Sequence, residues 1–176
     1  MNRIIITVLC ALALSSCVKS KLEVTYNSQE SKIESYIASK GDTYRSIRNG
    51  GANRLVLKEG EGEELQGNGF VSFYYAGYTF KGSSVSASNL FATNHQETAE
   101  SANFSLTDPD YSLYEVNIAE AEMLEGLKNG LIGVQAGETC EILFTAKYGY
   151  GNKTFGIIPA NSALLYKIWV IGVSNE

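Results

Sequence analysis

The fold of this chain is decided by one stretch of its sequence, EAEMLEGLKNGL at residues 120–131. Apolar side chains recur there at intervals of three and four residues, which is the spacing of one face of an α-helix. That face carries Met123, Leu124, Leu127 and Leu131. The opposite face carries Glu122, Glu125 and Lys128. The pattern predicts one amphipathic helix over 120–131, with its apolar face toward a core.

On both sides of this stretch the apolar residues alternate with a period of two, as they do in half-buried β-strands. The segments with this pattern are 54–58, 70–78, 114–118, 138–147 and 163–173. Residues 41–52 are predicted to be a polar loop, and residues 83–111 a long irregular insertion with one hydrophobic anchor at Leu90-Phe91. Several strands with one late helix predict an α+β domain, an antiparallel sheet packed on one core helix.

A second, shorter helix is predicted over residues 28–40. Asn27 followed by Glu30 is the pattern of a helix start, and Gly41 is the glycine expected after a helix end. The apolar face of this helix consists of Ile33, Tyr36 and Ile37. A helix of this length is marginal alone, so it is expected to pack on the main domain or on a partner.

Composition narrows the possible functions. The chain has 14 Lys and Arg against 19 Asp and Glu, a formal charge of −5, so contact with a nucleic-acid backbone is not expected. It has one histidine, His95, which lies in the polar insertion and is predicted to be exposed. A single histidine gives little basis for a metal site or a histidine-centred triad, and no cofactor is expected.

The N-terminus has the features of a secretory leader. After Met1-Asn2-Arg3 comes an apolar run from Ile4 to Leu14, which is too short to cross ~30 Å of hydrocarbon. The next residues, Leu14-Ser15-Ser16-Cys17, resemble the lipobox of bacterial lipoproteins. The resemblance implies cleavage before Cys17, diacylglycerol on its sulfur and an acyl chain such as palmitate on its amine. The alternative is an ordinary secreted protein in which Cys17 is incidental.

The lipoprotein interpretation predicts the organisation and location of the chain. Residues 1–16 are the signal peptide, 17–52 a lipidated tether with the short helix, and 53–176 the folded domain. Cys140 is then the one remaining free thiol, expected to be buried and structural. Because Val18-Lys19-Ser20-Lys21 contains no acidic run, the lipid anchor is expected in the outer membrane with the domain facing the periplasm.

Beyond residue 53 the chain resembles the FKBP-type peptidyl-prolyl cis-trans isomerases, or rotamases. The resemblance rests on short motifs that keep the family's order and spacing over about 53–174. These motifs are Val71–Gly77, Glu125–Gly130, Val134–Glu138, Ala146–Gly151, Gly156–Asn161 and Leu164–Ile168. Each motif alone is weak, and their order and spacing together indicate the family.

The resemblance implies a five- or six-stranded antiparallel sheet wrapped around the 120–131 helix, with an apolar pocket between them. It assigns the catalytic residues as Tyr75, Phe91, Leu124 and Tyr150. Leu124 is expected to offer its backbone N–H, and Tyr150 its hydroxyl, to carbonyl groups of a substrate. The substrate-binding residues are assigned as Tyr114, Met123, Leu127, Ile157, Ile158 and Tyr166.

A pocket of this kind suits the reaction that the resemblance implies. Rotation about an X–Pro bond is slow because it breaks amide resonance, with a barrier of ~18–20 kcal/mol. The planar form is charge-separated, so an apolar pocket favours the twisted, less polar form. The reaction needs apolar walls with one or two hydrogen-bond donors, and it needs no nucleophile, proton transfer or cofactor. The expected partners are proline-containing polypeptides.

Two departures from the family pattern leave two functions open. Leu127 stands where the family usually has tryptophan at the pocket floor, and Ala92 stands where it has an aspartate after Phe91. Asp108 or Asp110 is the candidate for a spatial replacement of that acid. One hypothesis is a prolyl isomerase that assists the folding of exported proteins. The other is a noncatalytic binding or chaperone lipoprotein that has kept the pocket and lost turnover.

Overall fold

The computed structural model describes the backbone over residues 2–82, 85–105 and 110–176, and the side chains of these ranges from residue 21 onward apart from residue 42. Its helices are α1 (Asn2–Ser39), α2 (Gln96–Ser101) and α3 (Glu125–Leu131). Its strands are β1 (Arg45–Asn49), β2 (Ala52–Lys58), β3 (Phe70–Phe80), β4 (Leu90–Thr93), β5 (Tyr114–Asn117), β6 (Thr139–Phe144) and β7 (Ala163–Ser174). Single turns of 3₁₀ helix lie at Gly41–Thr43, Ala87–Asn89 and Ala146–Tyr148.

The strands form one sheet in the order β1-β2-β6-β7-β3-β4, with every neighbouring pair antiparallel. β5 pairs with the first part of β3, and β4 pairs with a later part of the same strand. The predicted α+β class with an antiparallel sheet is confirmed. The sheet has seven strands, however, where the sequence predicted five or six.

The additional strands lie in segments that were predicted to be irregular. β1 occupies the middle of the expected loop at 41–52 and forms a hairpin with β2 across Gly50-Gly51, both at positive φ. Four of its five residues are exposed and Ile47 is half-buried, so this edge strand shows no apolar alternation that would reveal it. In the 83–111 insertion, the described residues contain β4 and α2.

Both faces of the sheet are covered, because successive side chains of a strand point to opposite sides. On the long strands, the face toward α3 carries Val71, Phe73, Leu164, Tyr166 and Ile168. The face toward α1 carries Ala76, Tyr78, Phe80, Ala163 and Leu165. The sheet therefore separates two apolar cores, and the predicted site residues belong to the α3 side.

The C-terminal part of α1 contributes to the second core. Ile33 and Tyr36 are buried, and Ile37 packs against the same cluster, as its predicted apolar face requires. The Tyr36 hydroxyl donates a hydrogen bond of 2.8 Å to the Glu141 carboxylate. Burial, together with this carboxylate, raises the pKa of Tyr36. The expectation that this helix packs on the main domain is confirmed.

α1 is much longer than the predicted helix at 28–40, since it runs from Asn2 to Ser39. Asn27 does not begin a helix but lies within one, where its carbonyl accepts a hydrogen bond of 3.0 Å from Ser31 Oγ. Residues 17–27 contain no glycine or proline, so nothing in their backbone stops a helix whose downstream part is docked. Among the helices of the described residues, none combines the length and the apolar character needed to cross a membrane.

α3 is shorter than predicted, because it begins at Glu125 and not at residue 120. Leu124 has extended backbone angles (φ −58°, ψ 138°), and the preceding residues form hydrogen-bonded turns. Gly126 and Gly130 approach β6 so closely that a Cβ at either position would overlap the side chain of Phe144 or Ile142. This close approach buries the apolar side of α3 against the sheet.

An almost completely buried ion pair lies under the C-terminal end of α3. Arg54 of β2 donates to the carbonyls of Gly130, Ile132 and Gly133 at 3.1, 2.9 and 2.9 Å. Its Nε lies 3.4 Å from Oε1 of Glu138. Arg54 therefore satisfies carbonyls that the end of the helix leaves without partners, and it joins α3 to the sheet.

Candidate active site

A cavity of about 590 Å³ opens on the α3 side of the sheet. All ten residues that the sequence assigned to the site line it, namely Tyr75, Phe91, Tyr114, Met123, Leu124, Leu127, Tyr150, Ile157, Ile158 and Tyr166. Five further residues complete the lining, namely Phe73, Ala92, Glu122, Phe155 and Gly156. The structure thus brings the assigned residues together, although they come from strands, a helix, a turn and a loop.

Aromatic rings from the sheet form the wall of the cavity. Phe91 of β4 and Tyr166 of β7 meet edge to face with ring centroids 5.7 Å apart, and Tyr75 of β3 lies 6.3 Å from Tyr166. Tyr114, the first residue of β5, meets Phe73 edge to face at 5.3 Å. Contacts of this kind hold each ring against its neighbour, so the wall exists before a ligand arrives.

α3 and the turn before it form the floor. Leu127 projects from α3 into the cavity and is 8% exposed. Leu124 is the last residue before α3, and its carbonyl accepts a hydrogen bond of 2.9 Å from the N–H of Lys128. The N–H of Leu124 has no backbone acceptor in the described part of the chain, which leaves it available to a carbonyl group of a ligand.

The remaining side of the cavity is the loop between β6 and β7, residues 145–162. Its Tyr150 and Phe155 rings stack with centroids 4.4 Å apart and planes 7° apart. Phe155 and Ile158 exchange two backbone hydrogen bonds of 3.0 and 2.9 Å, which turn the chain back at Gly156-Ile157. Ile157 is 72% exposed and Phe155 is 58% exposed, so the rim of the cavity is apolar and open to solvent.

α1 holds this loop from outside the cavity. Oε1 of Gln29 accepts a hydrogen bond of 2.9 Å from the N–H of Ala146, and its Nε2 donates one of 2.6 Å to the carbonyl of Asn161. Ala146 and Asn161 lie near the two ends of the loop, and each also bonds to the backbone of Gly151 at 2.8 Å. One side chain of α1 therefore ties together the base of a loop that lines the cavity.

Replacing Gln29 by Ala is expected to loosen this loop while the sheet stays folded. The variant loses two hydrogen bonds, each worth about 0.5–1.5 kcal/mol, so the loop amides should exchange their hydrogens about tenfold faster or more. The measurement is hydrogen exchange of residues 146–161. Ser31→Ala is the control, because Ser31 lies on the same helix and its hydroxyl bonds only to the helix backbone. Unchanged exchange in Gln29→Ala would show that Gln29 does not hold the loop.

Three of the tyrosines that line the cavity keep their phenols neutral. Burial is the main cause that raises the pKa of Tyr75, Tyr150 and Tyr166 above the usual tyrosine value. The pKa of Tyr166 is raised further by Tyr150 and Tyr75, which line the same cavity. At neutral pH each hydroxyl keeps its proton and can donate one hydrogen bond. The cavity therefore combines an apolar surface with uncharged donors.

The acid that lines the cavity in the described residues is neither of the two predicted replacements. Ala92 lines the cavity beside Phe91, and the lining carboxylate belongs to Glu122, which is exposed. Asp110 accepts a hydrogen bond of 2.9 Å from the N–H of Ser112 and contributes to the raised pKa of Tyr75, but it does not line the cavity. Asp108 lies outside the described residues.

Two other residues singled out from the sequence, His95 and Cys140, do not line the cavity. The prediction of an exposed His95 is wrong, because its ring stacks on Trp169 with centroids 4.0 Å apart, and burial lowers its pKa. Cys140 is fully buried and free, as predicted, and burial raises its pKa. Cys17, the predicted lipidation residue, lies in the part of α1 whose side chains are outside the described residues.

Of the five additional lining residues, Phe73 carries a signal in the sequence. It lies two residues before Tyr75, and residues i and i+2 of a strand share a face. Ala92 follows Phe91, at the position where the family pattern has an aspartate.

The prediction that Glu122 lies on the polar face of a helix, away from the core, is wrong, because α3 begins only at Glu125 and Glu122 lies in the segment before it. Phe155 and Gly156 lie in a loop, where no periodicity fixes the direction of a side chain.

Comparison with protein families shows the class to which this fold and cavity belong. A family model described as FKBP-type peptidyl-prolyl cis-trans isomerase matches residues 62–171. The matched range includes every residue that lines the cavity. The chain belongs to the FKBP-type peptidyl-prolyl cis-trans isomerases.

Individual relatives are distant. FK506-binding protein 1 of Aspergillus oryzae is 26% identical over 124 residues, which cover 70% of this chain and 99% of that protein. The structure of FkpA from Escherichia coli matches with a TM-score of 0.57 and 18% identity, over 97% of this chain and 71% of that chain. The structure of the three FKBP domains of wheat FKBP73 matches with a TM-score of 0.58 and 20% identity, over 74% of this chain and about half (51%) of that chain. At these identities the structural likeness supports the fold alone.

Proposed function

We propose that this protein is a peptidyl-prolyl cis-trans isomerase that assists the folding of exported proteins. The observation that carries the proposal is the cavity, since all ten residues assigned from the family pattern line one apolar space. A cavity of about 590 Å³ falls within the range of small-ligand sites and accommodates a proline ring with its neighbours. Membership of the isomerase family supports the same reaction.

In the proposed mechanism the protein twists a bond and transfers no proton. The aromatic wall and Leu127 enclose the proline ring, and the apolar surroundings favour the twisted amide because its charge separation is smaller. The N–H of Leu124 and the hydroxyl of Tyr150 donate hydrogen bonds to carbonyl groups of the peptide beside the X–Pro bond. The energy of these contacts holds the X–Pro bond in the orientation that favours rotation. Because the phenols of the cavity have raised pKa values, the rate should change little between about pH 6 and about pH 8.

The proposal is tested by NMR measurement of cis–trans exchange in a Phe-Pro or Leu-Pro peptide, with the full-length chain in detergent. Exchange faster than in the peptide alone supports the isomerase function. An exchange rate equal to that of the peptide alone, together with measurable binding of the peptide, would overturn it and favour the alternative function.

That alternative is a noncatalytic binding or chaperone protein, and two residues of the cavity favour it. Because residue 92 is alanine, the cavity has no carboxylate beside Phe91. Leu127 covers less of the cavity floor than the tryptophan expected from the family pattern would. Such a cavity still offers apolar surface and donors to a proline-containing segment. The two functions differ only in whether the bound X–Pro bond turns over.

Replacing Ala92 by Asp is expected to raise the exchange rate by up to about tenfold. The new carboxylate offers the phenols of the cavity a charged acceptor, and hydrogen bonds to charged groups are stronger than neutral ones. The measurement is the NMR exchange rate at saturating and subsaturating peptide. Ala92→Asn is the matched control, because it has nearly the same shape without the charge. Equal rates for Ala92→Asp and the parent would mean that the missing acid does not limit turnover.

We also propose that the chain is a lipoprotein anchored through Cys17 in the outer membrane, with the domain facing the periplasm. The apolar run at Ile4–Leu14 and the lipobox-like Leu14–Cys17 support this proposal. α1 continues from Cys17 to the docked residue Ile33, a distance of roughly 25 Å at 1.5 Å per residue. A lipid on Cys17 would then hold the domain near the membrane surface through a continuous helix.

Replacing Cys17 by Ser is expected to move the protein from the membrane fraction to the soluble fraction. The lipid chains bind the bilayer with about 0.8 kcal/mol per buried CH₂ group, and the variant cannot carry them. The measurement is cell fractionation with detection of the protein in each fraction. Cys10→Ser is the control, because Cys10 lies in the leader outside the lipobox-like residues and its loss should leave the protein with the membranes. Unchanged fractionation of Cys17→Ser would contradict the lipoprotein proposal.

A further inference from the structure

A second groove, of about 520 Å³, lies beside the cavity between α1 and the 145–162 loop. Gln29 and Lys32 of α1 form one side of it, and Lys81, directly after β3, lies along it. Phe91 and Ile157 line both the groove and the cavity. The cavity and the groove are therefore adjacent spaces that share two side chains.

The groove carries positive charge on an acidic protein. Lys32 and Lys81 are the only charged side chains among the described residues that line it. Both are exposed and neither forms an ion pair with a described residue, whereas Arg45, Arg48 and Arg54 each pair with a glutamate. Since the whole chain has a formal charge of −5, an acidic group meets a more favourable potential here than over most of the surface.

Contacts within the protein fix the shape of the groove. The two hydrogen bonds of Gln29 to the loop hold α1 at a set distance from it. The stem of Lys32 passes beside Gly82, because a Cβ at Gly82 would lie 3.2 Å from Cδ of Lys32. Lys32 and Lys81 both line the groove, so a ligand in it meets two positive charges. The backbone that borders the groove is therefore set before a ligand arrives, and a ligand spends little binding energy on ordering it.

The geometry points to this groove as the binding site for the stretch of client polypeptide next to the proline, with a preference for an acidic side chain in that stretch. The inference rests on the proposed binding of X–Pro segments in the cavity. An extended chain advances ~3.3 Å per residue, so the residues that reach the groove lie within a few positions of the proline. α1 then forms part of the substrate-binding surface in addition to linking the domain to the N-terminus.

The test is a peptide scan with the full-length chain in detergent. A Phe-Pro peptide carries one Glu at each of roughly four positions before and after the Phe-Pro pair in turn, and a matched set carries Gln. At one or more positions the Glu peptide should bind about two- to fivefold more tightly than the Gln peptide, the size expected for exposed charge pairs. The difference should disappear at about 1 M salt, where charges are screened within ~3 Å.

Variants of the lysines decide whether the groove causes this preference. Lys32→Glu combined with Lys81→Glu should reverse it, so that a Lys peptide binds more tightly than a Glu peptide. Lys21→Glu combined with Lys58→Glu has the same net charge, and these lysines are exposed and line neither the cavity nor the groove. This control should keep the preference for Glu, and its loss there would overturn the groove assignment.

The outcomes separate this inference from the proposed function. If every peptide binds and exchanges alike, the groove inference is overturned and the isomerase proposal stands. If the peptides bind with a Glu preference but none exchanges, the groove inference stands and the isomerase proposal fails. If no peptide binds or exchanges, both fail.

Discussion

Replacing Arg54 by Met is expected to lower the free energy of unfolding by about 3–5 kcal/mol, because it leaves the buried Glu138 carboxylate without its counter-charge. The substitution also removes the donors to three carbonyls at the end of α3. Met retains most of the apolar stem of Arg, so lost packing contributes little. The measurement is denaturant unfolding followed by the fluorescence of Trp169, the one tryptophan of the chain.

Arg45→Met is the matched control for this prediction. Arg45 forms a closer pair with Glu59, with two hydrogen bonds of 3.0 and 2.7 Å, but both side chains are exposed and solvent screens their charges. Arg45→Met should therefore lower the free energy of unfolding by only a small fraction of the decrease in Arg54→Met. Adding Glu138→Met to Arg54→Met should restore much of the stability, because the unpaired buried charge is then gone. Equal effects of Arg45→Met and Arg54→Met would contradict the role given to the buried pair.

The pKa of Glu138 adds a pH dependence with a definite sign. Burial raises the pKa of Glu138 above its usual 4.5, and Arg54 opposes that shift. With a raised pKa the folded protein binds the proton more tightly than the unfolded chain, so the contribution to stability is full below about 4.5 and is lost as pH rises through the folded value. Without Arg54 the folded pKa rises further. The Arg54→Met variant should therefore regain stability, relative to the parent, as the pH is lowered from neutral toward 4.5.

The sequence predicted the cavity residues more completely than the elements that carry them. Tyr75 and Tyr166 lie on strands whose alternation assigns them to one face, and the order of the family motifs brings that face together with Tyr150 and Leu127. Residues in turns have no such rule, and Phe155 lines the same cavity from a loop. For Glu122 the helical spacing predicted the wrong direction, because the helix begins at Glu125 and not at residue 120.

The predicted ends of helices and strands are wrong where contacts between distant parts of the chain override the local sequence pattern. Met123 and Leu124 continue the helical spacing of α3, but they lie in a turn that directs them to the cavity floor. β1 is an edge strand with a polar sequence, and its pairing with β2 decides its conformation. The role of Gln29 has no signal in the sequence, because its partners lie 117 and 132 residues away.

Replacing Phe91 by Ala is expected to lower X–Pro exchange by about ten- to hundredfold. The Phe91 ring lines the cavity, meets Tyr166 edge to face and also borders the groove, so its loss widens the space around a bound proline. Burying a side chain of this size stabilises a complex by about 1.5–3 kcal/mol, which corresponds to that range of rates. Phe70→Ala is the control, because Phe70 is also a phenylalanine of the sheet but lines neither the cavity nor the groove. This variant should exchange X–Pro bonds at the rate of the parent.

Measuring peptide affinity beside the exchange rate shows how the Phe91 ring acts. If affinity and exchange at subsaturating peptide fall by the same factor, the ring binds the planar and twisted forms equally and supplies only ground-state binding. If exchange at saturation falls while affinity holds, the ring contacts the twisted form preferentially, as the isomerase mechanism requires. A binding protein without turnover would show the loss of affinity and no exchange in either the parent or the variant. Unchanged affinity and exchange would contradict the assignment of this cavity as the site, since no ligand in it can avoid a wall that Phe91 helps to form.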